Sequence, residues 1–280
     1  MNIITLPDEL NIDISSPVQV FDYTSSQEVS RQQIILNQNA FSFLIDGSKE
    51  VVFDNSSLSI DNSKFILMRS GHCLMTERLS DLKNYRSILF FFSDIALSKF
   101  IRSIELNKAE PSKHSSVHAF EYNEFITRFI SSLSDISKLS DKVRSKLLEF
   151  KFHEIMLYLT ELHGTDFIQS LIVNSNDATR KFIHTIESNQ LNKLSLKELA
   201  FLCNMSISTF KREFEKYYTE SPVKWFQNKR LEYARHLLNN TKKSPSEIYF
   251  EVGYENLSSF IQAYKLKYGT TPKHHQKSEL

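Results

Sequence analysis

The chain contains an internal repeat near its C-terminal end. Residues 206–222, SISTFKREFEKYYTESP, recur fifty residues later as residues 256–272, NLSSFIQAYKLKYGTTP. Four pairs keep the same amino acid: Ser208/Ser258, Phe210/Phe260, Tyr218/Tyr268 and Pro222/Pro272. A repeat of this kind predicts that one small structural motif is built twice.

Each copy has the pattern of an amphipathic helix with an N-cap. Ser206 and Asn256 are favoured capping residues, and apolar residues follow them at spacings of three or four. A second helical pattern precedes each copy, at 195–202 and at 246–252, the latter followed by Gly253, which suits a helix end. Two helices joined by a short turn are the helix-turn-helix plan, whose second helix enters the DNA major groove. We therefore predict two such motifs, at about 195–218 and 245–268.

The last hundred residues resemble the DNA-binding domain of the AraC/XylS family of bacterial transcription regulators. The family usually has glycine where this chain has Thr219. The resemblance implies a regulator, here an activator, that binds double-stranded promoter DNA and recruits RNA polymerase. It rests on these residues at fixed spacing: Leu199, Ala200, Ser206, Phe210, Phe214, Ser221, Pro222, Arg230, Leu231, Ala234, Leu237, Leu238, Ile248, Val252, Gly253, Tyr254, Ser258, Phe260, Tyr264, Lys265, Gly269, Thr271 and Pro272.

The predicted DNA-binding residues are the polar ones that the apolar stripes leave outward. The resemblance maps base reading onto Ser208, Lys211 and Arg212. Arg212 is the strongest of these, since a guanidinium fork can hold both acceptors of a guanine, worth about 1–3 kcal/mol of discrimination. The full set is Ser206, Ser208, Thr209, Lys211, Arg212 and Lys216 on the first helix, and Asn256, Ser258, Ser259, Gln262, Lys265 and Lys267 on the second.

Two alternatives stay open for these helices. Arg212 could instead contact a phosphate or pair with Glu213 or Glu215. Leu257 and Ile261 take two positions that often contact DNA in the family, so the second motif could serve mainly as a phosphate anchor. Pro222 begins a long helix that is expected to hold the two motifs rigidly, about one helical turn of DNA, roughly 34 Å, apart.

Charge is distributed unevenly along the 280 residues, although the net charge is only +1. From Arg180 onwards there are 17 Lys and Arg against 10 Asp and Glu, a net charge of +7, and the preceding residues have 17 against 23, a net charge of −6. A basic C-terminal half is what a phosphate backbone would attract. The alternative is an ordinary solvated basic face.

The cysteines and the lengths of the apolar runs indicate in which cellular compartment the protein is expected. Cys73 and Cys203 lie in different halves and make no CxxC pair, so we expect reduced thiols and neither a zinc site nor a disulfide. The N-terminal residues have no basic, then apolar, leader pattern, and the longest apolar run, 88–92, has the length of a strand. The sequence predicts a soluble, cytoplasmic protein.

Residues from about 18 to 93 have the pattern of short strands without helices between them. Eight apolar or alternating runs are separated by turn pairs such as Asp46-Gly47 and Ser70-Gly71. We predict an antiparallel β-barrel or sandwich. The family resemblance implies a cupin-like sensory barrel here, and FLIDGSKEVVF with FILMRSGHCLMT is similar to activators of type III secretion genes. The predicted fold class is thus α+β, with a β-barrel, then helices, then an all-α domain carrying two helix-turn-helix motifs.

The barrel offers no sign of catalysis. His72 is its single histidine, so a metal site is not expected, and the chain has no glycine-rich phosphate loop. We predict no cofactor and no enzyme activity. A ligand pocket is one interpretation of the large apolar residues predicted to face inward, and complete filling by these side chains is the alternative that the missing polar residues favour. The predicted pocket residues are Phe41, Phe43, Phe53, Phe65 and Phe90.

Helices are predicted after the barrel, at 94–106, 119–133 and 141–163. The last has a wide apolar face, which favours a homodimer, with packing on the barrel as the alternative. Residues 174–177 form the predicted linker between an N-terminal regulatory domain, 1–173, and a DNA-binding domain, 174–280. The regulatory domain would respond to a small-molecule effector or, as the alternative, to an inhibitory protein partner.

Overall fold

The structure is a computed structural model that describes residues 2–10, 12, 16–104, 115–136, 138–172, 178–241 and 243–278. The chain divides into two compact units, Met1–Arg180 and Lys181–Leu280. The predicted linker, 174–177, lies outside the described residues, and the predicted boundary between 173 and 174 stays a prediction.

The N-terminal unit contains ten described strands in two five-stranded sheets. The first sheet has the order β1-β3-β8-β5-β6 and the second β10-β7-β4-β9-β2. All paired strands are antiparallel except β1 and β3, which run parallel. The strands are β1 Ile4–Leu6, β2 Val18–Ser25, β3 Val29–Leu36, β4 Asn39–Asp46, β5 Ser48–Val52, β6 Ser57–Ile60, β7 Lys64–Met68, β8 Gly71–Arg78, β9 Tyr85–Phe92 and β10 Val117–Glu121.

The two sheets face each other across an apolar core, and helices cover the other face of the second sheet. Strand β4 illustrates the arrangement, because Ala40 and Leu44 belong to the core between the sheets while Phe41 and Phe43 belong to the core under the helices. Successive side chains point to opposite faces of a strand, so a sheet covered on both faces must be apolar at consecutive positions. The covering helices are α1 Asp94–Ser103, α2 Glu124–Ile136, α3 Asp141–His163 and α4 Asp166–Ile172.

The predicted helix at 119–133 is wrong at its start. Residues Val117–Glu121 form the edge strand β10, paired with β7, and the helix begins at Glu124. The Asn123 side chain accepts a hydrogen bond from the Ile126 backbone N–H at 3.0 Å, which fixes this start. The periodicity did not separate a short edge strand from the helix that follows it.

The C-terminal unit is all helical in its described residues and has two separate small cores. One core joins α5, α6, α7 and Phe226 of α8, and the other joins the second half of α8 with α9 and α10. The predicted α+β class with two helix-turn-helix motifs is confirmed. The helices are α5 Ala178–Ser188, α6 Leu196–Leu202, α7 Ile207–Tyr217, α8 Pro222–Asn240, α9 Pro245–Ile248, α10 Leu257–Tyr268 and α11 Pro272–Ser278.

Candidate nucleic-acid interface

Helix α7 is the second helix of the first motif, and its start is fixed by Ser206. The Ser206 hydroxyl accepts a hydrogen bond from the Thr209 backbone N–H at 3.1 Å. Helix α6 before it begins with a capping box, in which Glu198 accepts from the Ser195 backbone N–H at 2.6 Å. The connecting turn places Asn204 at φ +54°, in the left-handed region that asparagine tolerates.

Phe210 and Phe214 are completely buried and orient α7. The residues predicted to face DNA are accordingly exposed, apart from Thr209, which is half-buried. No ion pair involves Lys211 or Arg212 within the part of the chain that the structure describes. These two cations are therefore available to an anion outside the protein.

Lys216 differs from its neighbours on α7. Its ammonium lies 2.6 Å from the Glu213 carboxylate, and this hydrogen bond lowers the pKa of the Glu213 carboxyl. An exposed pair of this kind is weak, so a phosphate could compete for Lys216. The Ser206 hydroxyl caps the start of α7 and also lies 2.9 Å from the Ser208 hydroxyl.

Helix α10 repeats this construction in the second motif. The Asn256 side chain accepts from the Ser259 backbone N–H at 2.8 Å, and Phe260 and Tyr264 are completely buried. Ser258, Ser259, Gln262 and Lys265 are exposed, as predicted for DNA-facing residues. Their exposure leaves them accessible to DNA.

Lys267 occupies a different position from the other predicted DNA-binding residues. Its ammonium donates to the Asn228 backbone carbonyl at 2.9 Å and lies 3.0 Å from the Glu232 carboxylate, both on α8. This lysine therefore contributes to packing inside the C-terminal unit. Leu266 beside it is 89% exposed.

The two recognition helices end differently. Helix α10 ends on Gly269 at φ +73°, a left-handed cap that glycine adopts readily. Helix α7 ends on Tyr218 in an extended conformation, just before Thr219, where the family usually has glycine. A non-glycine residue at this point is consistent with an extended rather than a left-handed end.

The N-terminal unit contains a cavity of about 300 Å³ between its sheets. Most of its lining is apolar, which suits burial of a small organic molecule. Segment β1 and the short 3₁₀ helix Asp8–Leu10 close one side. The lining residues are Ile4, Leu6, Glu9, Leu10, Tyr23, Val29, Gln32, Ile34, Leu36, Lys49, Met68, Met75, Glu77, Leu89 and Phe91.

A buried ion pair lies in the wall of this cavity. The Lys49 ammonium is 3.3 Å from the Glu77 carboxylate and 3.1 Å from the Ser42 hydroxyl, with the Lys49 side chain only 2% exposed. Lys49 and Glu77 are direct partners across β5 and β8. Burial, together with the nearby Glu77 charge, raises the pKa of the Tyr23 phenol, which also lines the cavity. The sequence contained a signal for this pair, because Lys49 and Glu77 each lie two positions from an inward residue, Val51 or Met75, and therefore on the same face of the strand.

The predicted pocket residues do not line this cavity. Phe41, Phe43, Phe65 and Phe90 lie on the opposite face of the second sheet, where Phe43 and Phe90 pack on Phe129 of α2 with ring centroids 5.8 and 6.0 Å apart. Phe53 belongs to the core between the sheets but not to the cavity lining. The prediction chose the wrong face because both faces of this sheet are equally apolar.

Three further observations concern the other predicted sites. No cluster of three His, Cys, Asp or Glu side chains suited to a metal ion occurs among the described residues. Cys73 and Cys203 are not joined in a disulfide, and burial raises the pKa of the Cys73 thiol to about 12. No described helix is both long and apolar enough to cross a membrane.

Comparison with known families matches both halves of the chain. The family described as "ExsA N-terminal regulatory domain" matches residues 39–171, and that described as "Helix-turn-helix domain" matches residues 199–278. The chain thus has an AraC-type helix-turn-helix domain in its C-terminal half and an ExsA-type regulatory domain in its N-terminal half. The second match covers both motifs apart from the first residues of α6, and the first covers most of the β-strands and the helices α1 to α3.

Curated relatives of this chain include named activators. It is 31% identical over 154 residues to the virulence regulon transcriptional activator VirF of Yersinia enterocolitica, covering 55% of this chain and 56% of VirF. It is 30% identical over 118 residues to the regulator ExsA of Pseudomonas aeruginosa, covering 42% of each chain. The match thus spans about half the length of these relatives. Among solved structures it is similar to ToxT from Vibrio cholerae, at 15% identity and a TM-score of 0.39, covering 93% of this chain and 98% of ToxT.

Proposed function

We propose that this chain is a sequence-specific DNA-binding transcription activator. The observation that carries the proposal is the pair of capped recognition helices, α7 and α10, whose outward cations Lys211, Arg212 and Lys265 form no ion pair within the described residues. The basic C-terminal half and the named activators among its relatives support it. It would act in the cytoplasm, with a regulatory domain at 1–173, a DNA-binding domain at 174–280, and RNA polymerase as a partner.

The two recognition helices would contribute unequally to DNA binding. Helix α7 presents Lys211 and Arg212 side by side near its N-terminal half, and the guanidinium of Arg212 fits the paired acceptors of guanine. Helix α10 presents one free cation, Lys265, among the described residues, since Lys267 is held by α8. We expect α7 to contribute most of the base reading, and α10 to combine anchoring on the phosphate backbone with a second, weaker base contact through the exposed Gln262.

The test is selection of sheared genomic DNA by the full-length protein at physiological salt, followed by sequencing of the bound fragments. We expect enrichment of a few promoter fragments that share two short motifs about one helical turn apart. The variant Arg212→Ala should blur or lose the motif. The matched control Arg212→Lys keeps the charge but loses the fork, so it should blur the motif as well.

The outcome of this pair of variants separates the two interpretations of Arg212. If Arg212→Lys retained the motif that Arg212→Ala loses, the side chain would serve only as a phosphate contact. Uniform recovery of all fragments by the unmodified protein would contradict sequence-specific binding in the effector-free state.

A small-molecule effector is the regulatory input that the cavity favours over a protein partner. Because Lys49 is already neutralised by Glu77, the site suits a small, mainly apolar molecule with one uncharged polar group rather than an anion. A thermal-shift screen of metabolites on the full-length protein tests this, since a ligand at a hundred times its Kd stabilises the bound state by about 2.7 kcal/mol. The double variant Lys49→Met with Glu77→Gln should lose the thermal shift that the ligand causes in the native protein. A ligand that stabilises the variant as much as the native protein would bind outside this cavity. No hit would favour regulation by a protein partner.

A homodimer formed through α3 is the remaining part of the proposal. Val143, Phe150 and Leu157 recur every seven residues on this helix and are 48%, 71% and 51% exposed. Seven-residue spacing places them in one stripe, which is the pattern of helices that pair with one another. A second copy of the chain would cover this stripe.

A further inference from the structure

The two helix-turn-helix motifs do not share an apolar core. Phe210 and Phe214 of the first motif pack with α5, α6 and Phe226, whereas Phe260 and Tyr264 of the second pack with the second half of α8 and with α9. Helix α8 is common to both cores and is the element expected to hold the motifs together. Contacts that link the motifs directly would add to α8 in fixing the angle between α7 and α10.

The first such contact surrounds Gly253, in the turn of the second motif. Gly253 has φ +92°, and a Cβ atom there would lie 2.9 Å from Cδ of Arg230 and 3.4 Å from Cγ of Lys193. Arg230 belongs to α8, and Lys193 belongs to the connection between α5 and α6, next to the first motif. The turn of the second motif thus packs closely against Arg230 and against the segment that leads into the first motif, where a side chain in place of Gly253 would push Arg230 aside.

Lys193 also contacts Phe250, one turn before Gly253. The Lys193 ammonium lies 3.6 Å from the centroid of the Phe250 ring, the geometry of a cation–π contact. The Phe250 ring is otherwise 67% exposed, so it has little role in either core. Its position is explained by this contact between the motifs.

The second link lies at the other end of α10. Lys267 bonds to the Asn228 carbonyl and to Glu232 on α8, and the Asn228 amide donates to the Glu220 carboxylate at 2.7 Å. Glu220 lies in the connection that leaves α7, and the hydrogen bond from Asn228 lowers the pKa of its carboxyl. One polar chain therefore runs from the end of the first recognition helix to the end of the second.

Arg230 and Lys267 are cations of the DNA-binding half that these links hold within the protein. Burial lowers the pKa of the Arg230 guanidinium, against the attraction of the nearby Tyr254. A guanidinium that served only to attract phosphate would remain in water, where its charge is best solvated. Its burial beside Gly253 is consistent with a role in positioning.

We propose that these two links together set the spacing between the two DNA segments that the protein recognises. We call them the inter-motif clamp, which consists of Lys193, Phe250, Arg230 and Gly253 in the first link and of Glu220, Asn228, Lys267 and Glu232 in the second. The proposal rests on the proposed function as a DNA-binding regulator. Phe250 and Lys193 act as positioning residues, since they hold α7 and α10 at one relative angle. A fixed angle makes one separation of half-sites strongly preferred over separations one base pair shorter or longer.

The test uses the full-length variants Phe250→Ala and Lys193→Ser, which remove exposed or half-buried side chains outside both cores. Lys197→Ser is the matched control, because it removes the same charge from an exposed position on α6. Spin labels at Ser208→Cys and Ser258→Cys, in a Cys203→Ser background, report the distance between α7 and α10 without DNA. We expect a narrow distribution for the unmodified clamp and the control, and a broader one for both clamp variants.

The second readout is the spacing of the motif pairs recovered by genomic DNA selection. The clamp variants should accept pairs one base pair closer or farther apart, with each single motif unchanged, a result that simple destabilisation would not give. Unchanged label distances, or broadened distances with an unchanged spacing preference, would overturn the proposal. If the unmodified protein recovers no motif pair, the proposed function fails, while the distance measurement still decides whether the clamp holds α7 and α10.

Discussion

Lysine side chains occupy three different environments in this molecule. Lys49 is buried between two sheets and paired with Glu77, Lys267 is bonded to α8, and Lys211 is exposed without an ion pair in the described part of the chain. The same ammonium group thus contributes to a buried polar site between the sheets, to packing within the C-terminal unit or, as we propose for Lys211, to attraction of DNA. Only the contacts around each lysine distinguish these roles.

The neighbouring residues Lys265 and Lys267 should respond differently to removal of their charge. Lys265→Ala should weaken binding to every duplex alike and reduce the slope of log affinity against log salt by about 0.9, the share of one phosphate contact. Lys267→Ala should leave this slope nearly unchanged and lower the free energy of unfolding by about 1 kcal/mol, because it removes bonds to Asn228 and Glu232.

Fluorescence anisotropy with a random duplex at several salt concentrations gives both slopes. Urea unfolding followed by Trp225 fluorescence gives the stability, since this single tryptophan lies in the C-terminal unit. An equal change of slope for the two variants would mean that Lys267 leaves α8 to reach a phosphate.

At the scale of elements, α3 carries two apolar stripes rather than one. Leu148, Phe152, Ile155, Met156 and Leu159 are buried against the second sheet and its neighbours, while the stripe of Val143, Phe150 and Leu157 is exposed. A helix that is apolar on both sides needs a second surface to cover it. The exposed stripe is the place where the proposed homodimer would form.

Replacing Phe150 by glutamate should therefore separate the dimer. The new carboxylate would lie at the centre of the stripe, where burial of an unpaired charge is unfavourable. Size-exclusion chromatography with light scattering at micromolar concentration should show a species near 65 kDa for the native protein and one of 32.7 kDa for Phe150→Glu. A native protein that is already 32.7 kDa would contradict the dimer. The variant Leu82→Glu controls for the added charge, because it makes the same change of an apolar side chain to glutamate at an 85% exposed position between β8 and β9, away from α3.

Features that depend on single residues, such as helix starts and turns, were predictable from the sequence. Features that depend on which element packs on which, such as the face of a sheet that a residue occupies, were not. Ser206 and Asn256 predicted two helix starts, and Gly253 predicted the end of a helix, because capping and positive φ depend on the type of a single residue. Phe41 and Phe90 were assigned to the wrong face of their sheet, because a sheet buried on both faces has no alternation to read. The bond between Lys267 and Glu232 joins residues 35 positions apart, which no local pattern indicates.

At the scale of the whole molecule, charge is divided between the two halves. The residues before Arg180 have a net charge of −6 and those from Arg180 onwards +7. Any phosphate attracted by the C-terminal half is therefore repelled by the N-terminal half. This repulsion is long-ranged at low salt and is screened beyond about 10 Å at 0.1 M.

A fragment comprising residues 174–280 should consequently bind random duplex DNA more tightly than the full chain at low salt. We expect the advantage to shrink as salt rises, because screening removes the effect of the acidic half. Anisotropy titrations at about 50 mM and 500 mM salt measure the affinities of the fragment and of the full chain. Circular dichroism checks that the fragment is helical. Equal affinities at low salt would show that the acidic half has no influence on DNA binding.

The exposure of Ser208, Lys211 and Arg212 has a consequence for how such a regulator changes over generations. These side chains make no core contact, while Phe210 and Phe214 between them hold the helix in place. Substitutions at the outward positions should then alter the preferred operator at little cost in folding free energy. If these side chains read DNA as we propose, single mutations can redirect the protein to new promoters without a compensating mutation elsewhere.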